Sequence, residues 1–201
     1  MQKLYIFIPR FALGLAIAAL PAAVLGQTNF MPSDSSTANS TGGSGSVSAS
    51  DEKFVREAAE GGMAEIALGE LATEKASSDE VKKFGQRMVD DHSRAADELK
   101  EIASSKGIRV PDRLSAKDRM TKYRLSKLSG EQFDRAYMSD MVKDHTEDVA
   151  DFKLESSSGT DPDVKHFAAT TLPTLQDHLR QAKEIAPTTR NASNDRNGGV
   201  Q

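Results

Sequence analysis

The chain has 201 residues, a formal charge of −4 at neutral pH, four His, and neither Cys nor Trp. The lack of Cys excludes disulfides, thiolate metal sites, iron–sulfur clusters and Cys nucleophiles, and the acidic balance is the wrong sign for a nucleic-acid binder. A hydrophobic content of 37% beside 28% charged residues suits a polar-surfaced helical protein better than a sheet-rich enzyme.

Residues 1–26 read as an export signal, with Lys3 and Arg10 ahead of an apolar run from Phe11 to Leu25. That run is shorter than the ~20 residues a spanning helix needs, so the mature chain is expected to have no transmembrane span. Cleavage is expected after Ala23 or Gly26. No Cys follows the run, which excludes a lipid-anchored lipoprotein. Residues 27–50 are rich in Ser, Thr, Gly and Asn and read as a disordered linker, and 187–201 read as a disordered tail. Such composition buries too little apolar surface to offset chain entropy.

Residues 51–186 form the expected domain, helical nearly throughout. A first helix starts at Asp51 and runs to about residue 76. Ser77 and Glu80 fit a capping box that opens a second helix, which Gly107 ends. A short helix at 115–127 starts at Ser115. Ser129 and Gln132 open a third long helix that ends at Gly159. Asp161-Pro162 opens a fourth, with proline where its missing N–H costs nothing, ending near Ala186. Short loops make the long helices two antiparallel hairpins. A repeat supports this: Asp79-Glu80-Val81-Lys82-Lys83-Phe84 resembles Pro162-Asp163-Val164-Lys165-His166-Phe167, and each leads to an Asp-His pair, Asp91-His92 and Asp177-His178. The fold class is therefore an all-α antiparallel four-helix bundle with a short extra helix in the central crossover. No strand-to-helix serine elbow and no phosphate loop is present; Gly61-Gly62 falls inside a helix and reads as a close-packing point.

Each long helix places one ligand-capable side chain on its apolar stripe. These are Glu65 on the first, His92 after Met88 on the second, His145 after Met141 on the third, and His178 after Leu175 on the fourth. His166 is expected outside. Counting from the turns, Glu65 and His92 differ by ~4–5 Å in height and His145 and His178 by ~7–8 Å. Glu65, His92, His145 and His178 are thus a candidate site for one Zn, Fe or Cu ion, since imidazole with carboxylate suits those metals. The alternative is a metal-free network in which Glu65 pairs with His or Tyr137. Met88 and Met141 read as core filler or as soft donors to cuprous ion. Asp91, Asp144 and Asp177 point about 100° from the neighbouring His, toward surface or a helix seam. There they serve as solvated or paired charge, or as outer partners of another helix's His.

The crossover is basic. Arg113, Lys117, Arg119, Lys122, Arg124 and Lys127 follow Arg109, against Asp112 and Asp118 alone. It reads either as a solvated helix or as a contact for an anionic envelope component or acidic protein partner.

Four stretches carry a family resemblance: Phe54-Val55-Arg56-Glu57-Ala58-Ala59-Glu60-Gly61-Gly62-Met63-Ala64-Glu65; Arg87-Met88-Val89-Asp90-Asp91-His92; Phe133-Asp134-Arg135-Ala136-Tyr137 with His145; and Thr171-Leu172-Pro173 with His178. In order and spacing they resemble the exported bacterial family catalogued as domain of unknown function 4142. The resemblance implies a ferritin-like fold and a place in the periplasm or on the outer side of the bacterial envelope, and no established activity. Metal-oxidising ferritin-like proteins carry Glu-x-x-His on two helices and a Glu on each of the others. Here Val89 and Leu175 stand three before His92 and His178, so a carboxylate-bridged di-iron centre is not expected. The reading leans to a non-enzymatic envelope protein, with a metal-free interaction or stress-protection module as the alternative and a His-rich metalloenzyme last.

Overall fold

The computed structural model describes residues 47–197. The expected export signal, and the expected linker up to residue 46, lie outside the described residues. Those described form five helices and no strand: α1 (Ala49–Lys75), α2 (Asp79–Ser105), α3 (Ala116–Ser126), α4 (Gly130–Ser158) and α5 (Pro162–Asn197). α1 packs along α2 and α4 along α5, the pairs meet as α1 on α4 and α2 on α5, and α3 lies against α1 and α4. The four long helices thus make two antiparallel hairpins, with α3 in the connection between them. None of the described helices is long and apolar enough to cross a membrane.

The helix ends show which local signals operate. Ser48, ahead of the expected Asp51, caps α1 by accepting the Asp51 N–H at 3.1 Å. Ser78 rather than Ser77 caps α2 through the Glu80 N–H at 3.2 Å. Ser115 caps α3 as expected, taking the Asp118 N–H at 3.2 Å. Ser129 makes no side-chain cap bond; the box with Gln132 does not form, and α4 instead opens on Gly130 at φ +58°. Gly107, at φ +68°, ends α2 as the left-handed residue that glycine best tolerates. α5 continues past Pro187 to Asn197, where an unstructured tail was expected. One proline removes one backbone donor, and here the helix runs on through that loss.

Two of these displacements share a cause. Asp51 is fully buried, and its carboxylate accepts the Thr160 hydroxyl at 2.6 Å, the Asp161 N–H at 2.8 Å and the Thr160 N–H at 3.3 Å. Asp134, early in α4, does the same for the other turn, accepting the Ser77 hydroxyl at 2.6 Å, the Ser78 N–H at 2.9 Å and the Ser77 N–H at 3.0 Å. Each hairpin's turn is therefore tied to the start of the other hairpin. At α5, Lys106 Nζ binds Asp161 at 2.8 Å and Asp163 at 2.7 Å, joining the end of α2 to the start of α5. These ties set α1 antiparallel to α4 and α2 antiparallel to α5, so residues 106–129 must return along the bundle.

The apolar interior falls into two clusters. One contains Leu68, Phe84, Met88, Phe133, Tyr137, Met141 and Ala182. The other contains Phe54, Leu99, Phe152, Val164, Phe167 and Leu175. On every long helix the chain passes from one cluster to the other across a single residue of the expected set: Glu65, His92, His145 or His178. A polar layer thus divides the core. Above it, α1 and α2 pack tightly at Gly69 and Gly85, where an added Cβ would lie 2.6 Å from the Gly85 carbonyl oxygen or 2.7 Å from Ala72 Cβ. The expected packing pair Gly61-Gly62 is not that point: a Cβ at either position would have no neighbour nearer than 3.9 Å.

Candidate metal centre

The helix termini level the polar layer. Glu65 lies ten residues before the end of α1 and His92 thirteen after the start of α2. His145 lies thirteen before the end of α4 and His178 sixteen after the start of α5. Both hairpins thus carry the same three-residue offset, about 4.5 Å along the axis, which side chains span. The larger offset expected for the second hairpin came from counting from Gly159 rather than from the true helix ends.

His92, His145 and His178 are all buried. Their ring centroids stand 5.3, 5.4 and 5.6 Å apart, a near-equilateral triangle. One nitrogen of each ring lies within 4.8 Å of the other two, and His145 Nε2 is 3.3 Å from His178 Nδ1. Burial drives the imidazoles toward the neutral form. His145 is pushed down to about 3, His92 falls well below its ordinary range through burial and the other two rings, and His178 is lowered chiefly by burial. At neutral pH each ring therefore carries one proton.

The outward partners fix where those protons sit. His92 Nδ1 faces Glu65 Oε2 at 3.0 Å. His145 Nδ1 faces the Met141 carbonyl at 3.0 Å and Glu65 Oε1 at 3.3 Å. His178 Nε2 faces Asp91 Oδ2 at 2.9 Å. Burial raises the Asp91 carboxyl, but hydrogen bonds from His178 and Arg87 hold it below the usual range, so it is a carboxylate that can only accept. All three outward nitrogens donate. The nitrogens left over, His92 Nε2, His145 Nε2 and His178 Nδ1, are unprotonated lone pairs turned inward, and His92 Nε2 has no hydrogen-bond partner.

Glu65, expected as a fourth donor, stands behind His92 as its acceptor and also groups with His145 and Asp148 as a second candidate ligand set. Asp91, one residue from His92 in sequence, supports His178 on α5 instead. The sequence signal for this was present: Asp91 sits on the seam beside the α2 stripe, and Arg87 one turn earlier holds it through Nε at 3.1 Å while reaching Asp177 at 2.6 Å. Asp148 is the residue the sequence reading passed over. A Glu65 oxygen, a His145 nitrogen and an Asp148 oxygen lie within 4.8 Å of one another. No donor reaches Glu65 Oε1 or Asp148 Oδ2. Burial and Asp148 push Glu65 well above the usual carboxylate range, and burial pushes Asp148 up to about 7. With one proton on this pair, Glu65 Oε2 is left to accept from His92. Tyr137 is buried with its hydroxyl unpartnered, so the expected His–Tyr137 network does not form. Met88 and Met141 belong to the apolar cluster above the layer. His166 is exposed, as expected.

Part of the basic crossover is spent within the chain. Arg124 pairs with Asp140, Arg119 binds the Leu114 carbonyl at 2.6 Å, Lys127 lies 4.6 Å over the Tyr123 ring, and Lys117 lines a pocket against α1 and α4. Arg113 is exposed and Lys122 half-buried.

These features define a class: an all-helical bundle whose core is interrupted by one layer of three buried histidines backed by carboxylates. The chain belongs to the family described as domain of unknown function (DUF4142), which matches residues 36–185. It is also similar to a crystal structure of a DUF305 fragment from Deinococcus radiodurans, with a TM-score of 0.61 at 16% identity over 72% of this chain and 99% of that one. At that identity the likeness is one of fold. No curated protein matches.

Proposed function

We propose that this protein is an exported, ferritin-like helical bundle of the bacterial envelope that holds one divalent transition-metal ion, without catalysis, on His92, His145 and His178. The observation that carries this reading is the set of three inward lone pairs. Three like dipoles facing one another in a dry layer repel, and a cation at their meeting point turns that repulsion into coordination. Metal-bound histidines characteristically donate their other ring N–H to a carboxylate or carbonyl, the arrangement Glu65, Met141 and Asp91 supply. A tetrahedral Zn ion with bonds of 2.0–2.1 Å needs its nitrogens about 3.3–3.4 Å apart, which the 3.3 Å between His145 and His178 meets. Imidazole donors suit Zn, Cu or Fe. The Glu-x-x-His spacing of a di-iron oxidase is missing at His92 and His178, which supports a binding rather than an oxidising role.

Metal analysis of protein purified without a His tag tests this. The expected result is close to one Zn, Cu or Fe per chain, with His92→Ala and His178→Ala each abolishing it. If all three metals stay well below one per chain, and titration with each leaves thermal stability unchanged, the layer is a metal-free polar network.

A further inference from the structure

Resting on the metal reading above, a second site concerns how a cation reaches a layer buried between two apolar clusters. A pocket of about 330 Å³ opens between α1, α3 and α4. Its walls carry six carboxyl groups and two lysines. Most of these charges are already used within the fold. Asp118 is held by the Ser115 hydroxyl at 2.6 Å, Asp140 pairs with Arg124, and Glu147 pairs with Lys143 at 3.1 Å. Three carry acceptor oxygens not used in this way. Asp144 has no ion pair closer than 3.9 Å, and Asp148 and Glu65 each keep an oxygen that no donor reaches. Glu65 is only 4% exposed, yet it lines this outer pocket and also the small inner pocket beside His92. Asp148 lines both as well. These two side chains are a shared wall with solvent on one side and the histidine layer on the other. Gly61 floors the outer pocket and Gly62 the inner one, and neither is required for helix contact. Their lack of side chains keeps the path open.

We propose that this pocket is the entry port of the metal site: Asp144 and Asp148 capture a hydrated divalent cation, and Glu65 passes it inward to the three imidazoles. The transfer exchanges water and carboxylate oxygens for imidazole nitrogens, with no change of oxidation state. Carboxylates in a low-dielectric cleft focus the field on an incoming cation and raise its rate of arrival, and Asp148 and Glu65 lie beside His145.

The test is stopped-flow loading of the metal-free full chain with Co²⁺, whose visible absorption reports imidazole coordination. Asp144→Asn is expected to slow loading about threefold at low ionic strength, the difference fading in salt. Gly61→Leu fills the port and slows loading and chelator-driven release by the same factor, because entry and exit share one path. In both, the final absorbance per chain matches wild type. Loading at the wild-type rate in both variants overturns the proposal. So does an equal slowing by Glu98→Gln, an exposed acid on α2. If the wild-type chain itself gives no imidazole-bound Co²⁺ spectrum, the metal reading fails and the port falls with it; a normal wild-type spectrum with unchanged variant rates removes the port alone.

Discussion

Asp91→Asn separates a metal centre from a structural polar layer. Asp91 touches none of the inward nitrogens; it accepts from His178 Nε2 at 2.9 Å and is itself 16% exposed, against 1% for His178. Outer partners of this kind change metal affinity by about 10–100-fold. At free Zn²⁺ a hundred times the wild-type Kd, binding adds about 2.7 kcal/mol to the wild-type chain. With the Kd raised 10- to 100-fold, the gain falls to about 0.4–1.4 kcal/mol. At about 3 °C per kcal/mol for a domain of this size, the zinc-induced rise in Tm drops from about 8 °C to about 1–4 °C. The metal-free form loses little, because Arg87 keeps Asp177 at 2.6 Å and partly exposed pairs contribute under about 1 kcal/mol. Thermal melts at buffered free zinc, with and without the substitution, read this directly. Asp177→Asn is the control: it removes the other partner of Arg87 without touching His178, and leaves the zinc shift intact. A zinc shift in Asp91→Asn equal to wild type would refute the reasoning.

Three further substitutions test the scaffold. Burial raises the Asp51 carboxyl, but its bonds from Thr160, Asp161 and Ser48 outweigh that and hold it below its ordinary 3.8. Its contribution is therefore full above about pH 4 and fades as pH falls through the lower folded value; Asp51→Asn destabilises at pH 7 by about 2–3 kcal/mol, and the gap to wild type in denaturant melts narrows toward pH 3, so a constant gap counts against an ionised cap. Gly85→Ala puts a Cβ 2.7 Å from Ala72 Cβ and 2.9 Å from the Gly69 carbonyl oxygen and costs about 1–3 kcal/mol, whereas Gly62→Ala, with no neighbour nearer than 3.9 Å, is neutral or gains up to about 1 kcal/mol in the metal-free form; equal effects in chemical denaturation would relocate the helix contact. Tyr137→Phe removes a buried hydroxyl without a partner and leaves stability unchanged or raises it by about 1 kcal/mol, while a loss of that size would reveal a bond to the hydroxyl.

The histidines were legible in the sequence because a helical stripe reports its own inward face. Met88, His92 and Ala95, or Met141, His145 and Val149, share one face whatever lies opposite. What each histidine meets depends on other helices, and no local pattern carries that. Glu65, on the stripe, accepts from the His92 ring N–H, and Asp91, off the stripe, reaches across the α2–α5 seam to His178. Asp51 and Asp134 were hidden for a similar reason. An acid in a first turn reads as a partner for its own helix dipole, yet both carboxylates serve a turn more than fifty residues away. The Ser77 capping box failed because Asp134 takes the Ser77 hydroxyl and leaves the cap to Ser78. Gly69 and Gly85 each lack an adjacent glycine and form a contact only as a pair, while the conspicuous Gly61-Gly62 lines pockets.

The charge around the layer bears on which ion it takes. Three neutral imidazoles contribute no charge. Asp91 is balanced by Arg87 at 3.1 Å. Glu65 and Asp148 have no lysine or arginine in ion-pair contact among the described residues, and share the space beside His145. An acidic pair that holds one proton and no counter-charge in a buried layer is costly, and a divalent ion that displaces the proton balances both carboxylates where a monovalent ion balances one. The attraction lost on removing one carboxylate scales with the charge of the ion it faced. Asp148→Asn should therefore reduce log affinity for Zn²⁺ about twice as much as for Ag⁺, measured by competition with chelators of known strength. Equal losses would mean that Asp148 acts by shape rather than charge, and that the histidines alone choose the metal.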